Sequence, residues 1–172
     1  MVGVGEAITA ELLCQRPGTT TARDYERLFT APEVQRWLRP DPMPPFNRAD
    51  LERMARRDQA HWARYGYGPW VVREREGGAL VGRGGLAWAT VAGRRAVELP
   101  WAVVPELQNR GYATEMAAAA IGAAREAGLD QVVSLTLPDN FASRRVMEKS
   151  GLVLVGEIEH VGLPHVLYEL DL

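Results

Sequence analysis

Residues 108–114 (QNRGYAT) are the part of this chain best suited to hold a phosphate group. They follow a stretch rich in β-branched and aromatic residues and precede a run of strong helix formers. The first N–H groups of a helix lack intrahelical partners and carry a partial positive charge, so they can bind a pyrophosphate without lysines. Gly111 lets the backbone approach such a ligand closely. Taken alone, the segment also fits an ordinary tight connection between a strand and a helix.

A second polar cluster follows a later apolar stretch, residues 131–137. Asn140 stands where its side chain can cap the next helix, and Ser143 lies three residues on, in the first turn of that helix. Both side chains are predicted to point out of the end of a sheet, where ligands of α/β proteins bind, so one crevice could be lined by both clusters. The alternative for Ser143 is a hydroxyl that bonds back to a carbonyl of its own helix.

The periodicity of apolar residues predicts the elements that position these clusters. The chain is expected to form an α/β fold with a mixed, mostly antiparallel sheet flanked by helices. Residues 39–45 hold four prolines and form a stiff loop. The predicted elements are, in order, a strand at 8–16, helices ending at 29, at 32–38 and at 50–65, strands at 69–73, 80–89 and 96–104, a helix from about 111 to 128, a strand at 131–137, a helix at 140–149, and a hairpin of 152–159 with 164–170.

Composition limits the classes to which the protein can belong. A length of 172 residues suits one domain, 1–172, and the apolar fraction of 47% with 24% charged residues is that of a globular protein. No apolar stretch is long enough to cross a membrane, and the N-terminus lacks the pattern of a secretory signal, so we expect a cytoplasmic protein.

Charge and cysteine content exclude further classes. The formal net charge of −2 argues against nucleic-acid binding. The single cysteine, Cys14, excludes an internal disulfide, and three dispersed histidines suggest no metal site. Lys149 is the only lysine among many arginines, which with abundant Ala and Gly is typical of a GC-rich bacterium.

Two motifs in the order and positions described above resemble a known superfamily. The first is Gln-x-x-Gly-x-Ala, and the second is Asn-x-x-Ser followed by Glu-Lys-x-Gly. The matching residues are Gln108, Gly111 and Ala113, then Asn140, Ser143, Glu148, Lys149 and Gly151. With the segments WAVVPE (101–106) and GLPHVLY (162–168), the chain resembles the general-control-related N-acetyltransferases (GNAT), and within them the ribosomal-protein N-acetyltransferase branch.

The resemblance implies acetyl-CoA as the cosubstrate and assigns residues to it. Backbone groups of the strand before the motif would hold the pantetheine arm, and amides of residues 108–114 would hold the pyrophosphate. Asn140 would reach the pantetheine, and Ser143 would lie near the sulfur. The cofactor-binding residues expected on this basis are Trp101, Ala102, Val103, Gln108, Asn109, Arg110, Gly111, Tyr112, Ala113, Thr114, Asn140 and Ser143.

The resemblance also implies transfer of the acetyl group to a primary amine by direct attack in a ternary complex. A backbone N–H near Val103 is a candidate oxyanion donor. Glu98 is the candidate general base, acting through water, because its spacing from Gln108 matches the glutamate of this branch. Its alternative is a surface carboxylate paired with Arg94 or Arg95.

Protonation of the leaving thiolate has no obvious donor in the sequence. Many members of the superfamily place a tyrosine seven residues after the asparagine, and this chain has Met147 there. We therefore expect Ser143 to act as a weak donor.

The acceptor is expected to be a protein N-terminal α-amine or a small-molecule amine. Residues that the resemblance places around it are mostly aromatic: Trp37, the 40–46 loop, His61, Trp62, Tyr65, Tyr67 and Trp70. His160 and His165 on the closing hairpin receive little weight. A homodimer is compatible with these features. A non-catalytic acyl-CoA-binding module is the competing hypothesis because of Met147, whereas a nucleotide-binding regulator is disfavoured because no Gly-Lys-Ser/Thr follows the turn.

Overall fold

A computed structural model describes residues 6–172 and shows a mixed α/β architecture. The N-terminal segment considered for a secretory signal begins with residues 1–5, which lie outside the described residues. The elements are β1 Ala7–Ile8, β2 Leu12–Gln15, α1 Thr21–Phe29, α2 Pro32–Leu38, α3 Arg48–Tyr65, β3 Pro69–Glu74, β4 Leu80–Gly85, β5 Ala87–Val91, β6 Arg94–Glu98, β7 Ala102–Val103, a 3-10 turn at Pro105–Leu107, α4 Tyr112–Glu126, β8 Gln131–Thr136, α5 Phe141–Lys149, β9 Val153–His160 and β10 Leu163–Asp171.

The strands form two five-stranded sheets. The first sheet has the order β1-β2-β3-β4-β7, and the second has the order β5-β6-β8-β10-β9. All pairs are antiparallel except β6 with β8, which is parallel at Glu98 and Val133. The prediction of a mostly antiparallel mixed sheet flanked by helices is therefore confirmed.

Two of the predicted strands are wrong in extent because each divides between the sheets. The predicted strand 80–89 is β4 in the first sheet and β5 in the second, and the strand 96–104 is β6 and β7. Gly85 occupies the first break with φ +112°, and a Cβ there would lie 2.5 Å from the Gly68 carbonyl oxygen. Only glycine fits that turn between strands. Pro100, which has no N–H to donate, lies in the second break.

Most helix boundaries follow local signals. Helix α2 has the predicted bounds and carries Pro32 at its start. Helix α3 begins two residues earlier than predicted because Asn47 and Asp50 form a capping box, with bonds of 3.0 and 3.2 Å. The predicted strand 8–16 is a short hairpin of β1 and β2.

A buried ion pair fixes helices α1 and α3 to the first sheet. The guanidinium of Arg83 on β4 donates to both carboxylate oxygens of Asp58 on α3, at 2.7 and 3.0 Å. The Tyr25 hydroxyl on α1 donates to the same carboxylate at 2.7 Å. All three residues are buried. Burial raises the pKa of Asp58, but the charge and hydrogen bonds of Arg83 outweigh it, and the pKa lies below its usual value.

Other features bear on the remaining sequence expectations. Cys14 is buried, and burial raises the pKa of its thiol to about 12, so it serves as an inert core residue. Within residues 6–172, no helix has the length and hydropathy needed to span a membrane. The same part of the chain contains no cluster of His, Cys, Asp and Glu suited to a metal ion.

Candidate active site

The two sheets separate at one point and leave a cleft between β7 and β8. Up to Leu99 the chain stays beside β8, since the Leu99 N–H donates to the Val133 carbonyl oxygen at 2.7 Å. Beyond Pro100 it pairs instead with β4, with Ala102 opposite Arg83. Strand β8 continues to Thr136, paired there only with β10 on its other side. The opening between the diverging strands is about 670 Å³ in volume.

Strand β7 presents main-chain groups to this cleft. The Val104 N–H donates to the Val81 carbonyl oxygen on β4 at 2.9 Å. Because successive N–H groups of a strand point to opposite edges, the Val103 N–H faces away from β4, towards the cleft. A Cβ on Gly82 would lie 1.9 Å from the Ala102 carbonyl oxygen, so glycine at that position lets β7 lie this close to β4. Trp101, Ala102 and Val103 all line the opening.

The segment 108–114 forms a cradle of free N–H groups at the start of α4. Within the described part of the chain, the N–H groups of residues 109–114 have no hydrogen-bond acceptor, and no side chain caps the helix. Asn109 and Gly111 adopt left-handed φ values of 62° and 88°, which turn successive N–H groups to one side. The Gln108 side chain donates to the Val103 carbonyl oxygen at 3.0 Å and ties the cradle to β7. Except for Arg110, residues 108–114 line the cleft.

Helix α5 forms the wall opposite β7. The Asn140 amide oxygen accepts from the Ser143 N–H at 3.3 Å, and its nitrogen donates to the Thr136 hydroxyl at 3.0 Å, so the predicted cap is confirmed. The Ser143 hydroxyl lines the cleft and has no hydrogen-bond partner within residues 6–172, so the bond back to a helix carbonyl is not formed. Met147 is buried beneath it.

Glu98 also lines the cleft, at the end of β6. Arg94 bonds to Gln131 and Glu169, and Arg95 bonds to Tyr65, so neither arginine pairs with Glu98. In the described residues its carboxylate has no hydrogen-bond or ion-pair partner. Burial raises the pKa of Glu98, and the charges of Arg83, Arg57 and His165 lower it in part. A carboxyl group with a raised pKa in a cleft has the property of a general base.

The residues expected around the acceptor divide into three groups. Trp37 and Met43 line the cleft, together with Glu33 and Leu38. Trp62 and Trp70 are instead buried in the core. His61, Tyr65 and Tyr67 form a separate ring cluster with Trp88.

His61 is held structurally within that ring cluster. Its Nδ1 bonds the Tyr67 carbonyl oxygen at 2.9 Å, and its Nε2 accepts from the Trp88 N–H at 3.0 Å. Because both ring nitrogens are bonded to main-chain groups, neither is available to exchange a proton with a substrate.

The hairpin of β9 and β10 contributes residues to which the sequence analysis gave little or no weight. His160, Val161 and His165 all line the cleft. These residues reach the cleft because the hairpin lies beside β8. Val166 of β10 pairs with Thr136 at the end of that strand. Strand pairing across this distance in the chain cannot be read from local sequence.

Known proteins share both the sequence pattern and the architecture. The family model described as "Acetyltransferase (GNAT) domain" matches residues 13–153. A Bacillus subtilis protein named "Uncharacterized N-acetyltransferase YnaD" is 31% identical over 85 residues. That match covers 49% of this chain and 48% of the relative, so the aligned part is about half the length of each protein.

Solved structures reproduce the fold over nearly the whole chain. An acetyltransferase from Agrobacterium tumefaciens superposes with a TM-score of 0.82 and 21% identity, covering 100% of this chain and 97% of that one. The ribosomal-protein-S5-alanine acetyltransferase from Vibrio fischeri superposes with a TM-score of 0.75 and 16% identity, covering 96% of each chain.

Proposed function

Because the chain belongs to the GNAT acetyltransferase family, we propose that it transfers an acetyl group from acetyl-CoA to a primary amine by direct attack in a ternary complex. The observation that carries the proposal is one cleft holding a cradle of N–H groups, an inward N–H on β7 and an unpaired carboxylate. The domain would extend over residues 1–172. Its location in the cytoplasm of a bacterium remains a proposal drawn from composition.

Acetyl-CoA is the cosubstrate, and the cleft suits its parts. The free N–H groups of residues 109–114 would bind the pyrophosphate, since amides at a helix start favour anions. The exposed edge of β7, residues 101–103, would pair with the amide groups of pantetheine as a further strand would. Asn140 would contribute chiefly by holding α5 in place, because both of its polar atoms already bond to Ser143 and Thr136.

The residues of the cleft divide the chemistry among them. The Val103 N–H would donate to the thioester oxygen, and a fixed amide needs no reorganisation as negative charge develops there. Glu98 would remove a proton from the ammonium form of the acceptor through a water molecule. Ser143 would donate a hydrogen bond to the departing thiolate.

Ser143→Ala is expected to lower kcat about 10-fold while KM for acetyl-CoA changes less than about 3-fold. The effect is smaller than that of a typical general acid because a thiolate is a stable leaving group. Steady-state release of CoA thiol measures both constants. Ser150→Ala, at the opposite end of the same helix, is the matched control, since its hydroxyl is buried without a partner and Ser150 does not line the cleft. Wild-type turnover in Ser143→Ala would remove this residue from the mechanism.

The acceptor would enter from the side of α2. Trp37, Leu38 and Met43 give that wall an apolar surface, and Glu33 adds a carboxylate. Such a wall suits a peptide N-terminus or a small amine with an apolar group, and disfavours an acidic acceptor.

A screen of thiol release tests the function and the acceptor class together. Peptides with different N-terminal residues and a panel of small amines are incubated with acetyl-CoA. Acetyl-CoA at 100 times its Kd should stabilise the protein by about 2.7 kcal/mol. Stabilisation without thiol release from any amine would favour the non-catalytic acyl-CoA-binding module, which the buried Met147 also favours. Absence of binding would exclude both functions.

A homodimer is the remaining proposal about partners. Strand β9 lies at the edge of the second sheet, and Val153, Leu154 and Val155 on it are exposed. Sedimentation equilibrium measures the association state directly. A monomer at all concentrations used in the assays would contradict the dimer.

A further inference from the structure

Two histidines on the closing hairpin face the same cleft as Glu98. His160 ends β9 and His165 lies near the start of β10. Their rings are in edge-to-face contact, with centroids 5.4 Å apart and planes at 83°. His165 is 9% exposed and is the more buried of the two. A buried imidazole on the wall of a cleft calls for a chemical explanation.

The hydrogen bond of His165 determines which ring nitrogen carries the proton. Its Nδ1 lies 3.1 Å from the Leu163 carbonyl oxygen. A carbonyl oxygen only accepts, so Nδ1 is the protonated nitrogen of the neutral ring and Nε2 presents a lone pair. In the part of the chain that the structure describes, nothing donates to Nε2. Burial lowers the pKa of His165, which keeps the ring neutral near pH 7.

The ionisable groups that act on His165 are few. Glu98 on β6 favours its cationic form, and His160 on β9 opposes it. Glu157 and Glu159 on β9 lie on the opposite face of the sheet, since Ile158 pairs with His165 and side chains alternate along a strand. Strand β8 contributes Ser134 and Thr136 to the cleft, neither of which titrates near neutral pH.

Glu98 and His165 are not joined by a hydrogen bond within residues 6–172, yet the charge of each acts on the pKa of the other. The two side chains thus line one opening and leave space between them. Reacting groups placed in this opening would meet a carboxylate from β6 and an imidazole lone pair from β10. An acceptor ammonium must lose two protons to become an amide, and the cleft holds two bases.

We propose that His165 is a second catalytic residue, whose Nε2 removes the second proton from the acceptor nitrogen and passes it to the leaving sulfur. The proposal rests on the proposed acetyl transfer. Glu98 takes the first proton through water, and the nitrogen–carbon bond forms. His165 Nε2 takes the next proton from that nitrogen, the carbon–sulfur bond breaks, and the imidazolium protonates the thiolate. One ammonium and one thioester yield one amide, one thiol and one proton released by Glu98.

Substitution of His165 tests this role through turnover, with melting temperatures as the measure of folding and binding. His165→Gln is expected to lower kcat about 100-fold, the lower end of general acid–base effects. Glu159→Gln, an exposed position on the opposite face of the same hairpin, should stay within about 3-fold of wild type. Melting temperatures with and without acetyl-CoA establish that each variant is folded and binds. Turnover of His165→Gln within about 3-fold of wild type would overturn the proposal.

Chemical rescue separates proton transfer from a structural role. His165→Ala leaves space beside the cleft for a free imidazole molecule. Added imidazole should raise kcat of this variant at least about 10-fold, in proportion to the concentration of neutral imidazole. Absence of rescue in a folded His165→Ala that binds acetyl-CoA would overturn the proposal. If wild type itself releases no thiol with any amine, it is the acetyl transfer that fails, so the two failures are distinguishable.

Discussion

Glu98→Gln is expected to lower kcat about 1000-fold near pH 6 and, at neutral pH, to raise the melting temperature. General bases contribute about 10² to 10⁴ to rate, and Glu98 is the only carboxylate on β6 that faces the cleft. The loss should shrink as the pH approaches the pKa of the acceptor amine, because a neutral amine needs no base. Thiol release measured across pH gives the profile.

The stability effect follows from the raised pKa of Glu98. A carboxyl whose pKa is higher in the folded state than in the unfolded state binds more protons when folded, so its contribution to stability is lost as pH rises through the folded pKa. At neutral pH, well above the unfolded pKa, burial of the Glu98 carboxyl therefore destabilises the fold, and glutamine removes that penalty. At a pH below the unfolded pKa of about 4.3, the two proteins should melt alike.

The matched control for Glu98 is Glu157→Gln, which removes an exposed carboxylate from β9. It should leave both turnover and melting temperature near wild type. An unchanged pH profile in Glu98→Gln would remove Glu98 from the mechanism. A lower melting temperature at neutral pH would contradict the inference that burial of this unpaired carboxyl group costs stability.

Asp58→Ala is expected to destabilise the protein by about 3 to 5 kcal/mol, the cost of leaving one partner of a buried ion pair uncompensated. The substitution leaves the Arg83 guanidinium buried without its carboxylate partner, and it removes the acceptor of the Tyr25 hydroxyl. Urea unfolding monitored by tryptophan fluorescence gives the free energy. Because the pKa of Asp58 is lowered in the fold, wild-type stability should also fall as the pH drops through the acidic range.

Two controls make the Asp58 result specific. Asp58→Ala combined with Arg83→Met removes both charges and should recover most of the loss. Glu52→Ala, on the same helix, breaks only surface pairs with Arg48 and Arg56 and should cost less than about 1 kcal/mol. Equal losses in Asp58→Ala and Glu52→Ala would show that the buried pair does not anchor α3.

Local signals were sufficient for most of the helix boundaries. Pro32 marks the start of α2, and the cap by Asn140 marks α5, because each signal acts within one turn. The division of the strands could not be predicted, since it depends on Gly85 meeting the backbone at Gly68, far away in the chain.

The positions of the residues expected around the acceptor depend on long-range contacts and were predicted less well. His61 and Trp37 have similar local contexts on amphipathic helices, yet His61 is bonded through both ring nitrogens and Trp37 lines the cleft. His165 reaches the site only because β10 pairs with β8. Whether a residue of this hairpin can take part in chemistry therefore depends on which strand the hairpin pairs with.

The cradle at the start of α4 has a consequence for how this protein can change by mutation. The groups proposed to bind the pyrophosphate are main-chain N–H groups, which every residue except proline provides. Side chains there can be replaced while the binding atoms persist, provided that the left-handed turn at Gly111 is kept. The wall formed by Trp37, Leu38 and Met43 consists of side chains, so each replacement alters it. Under the proposed function, selection can therefore change the acceptor while the acetyl donor stays the same.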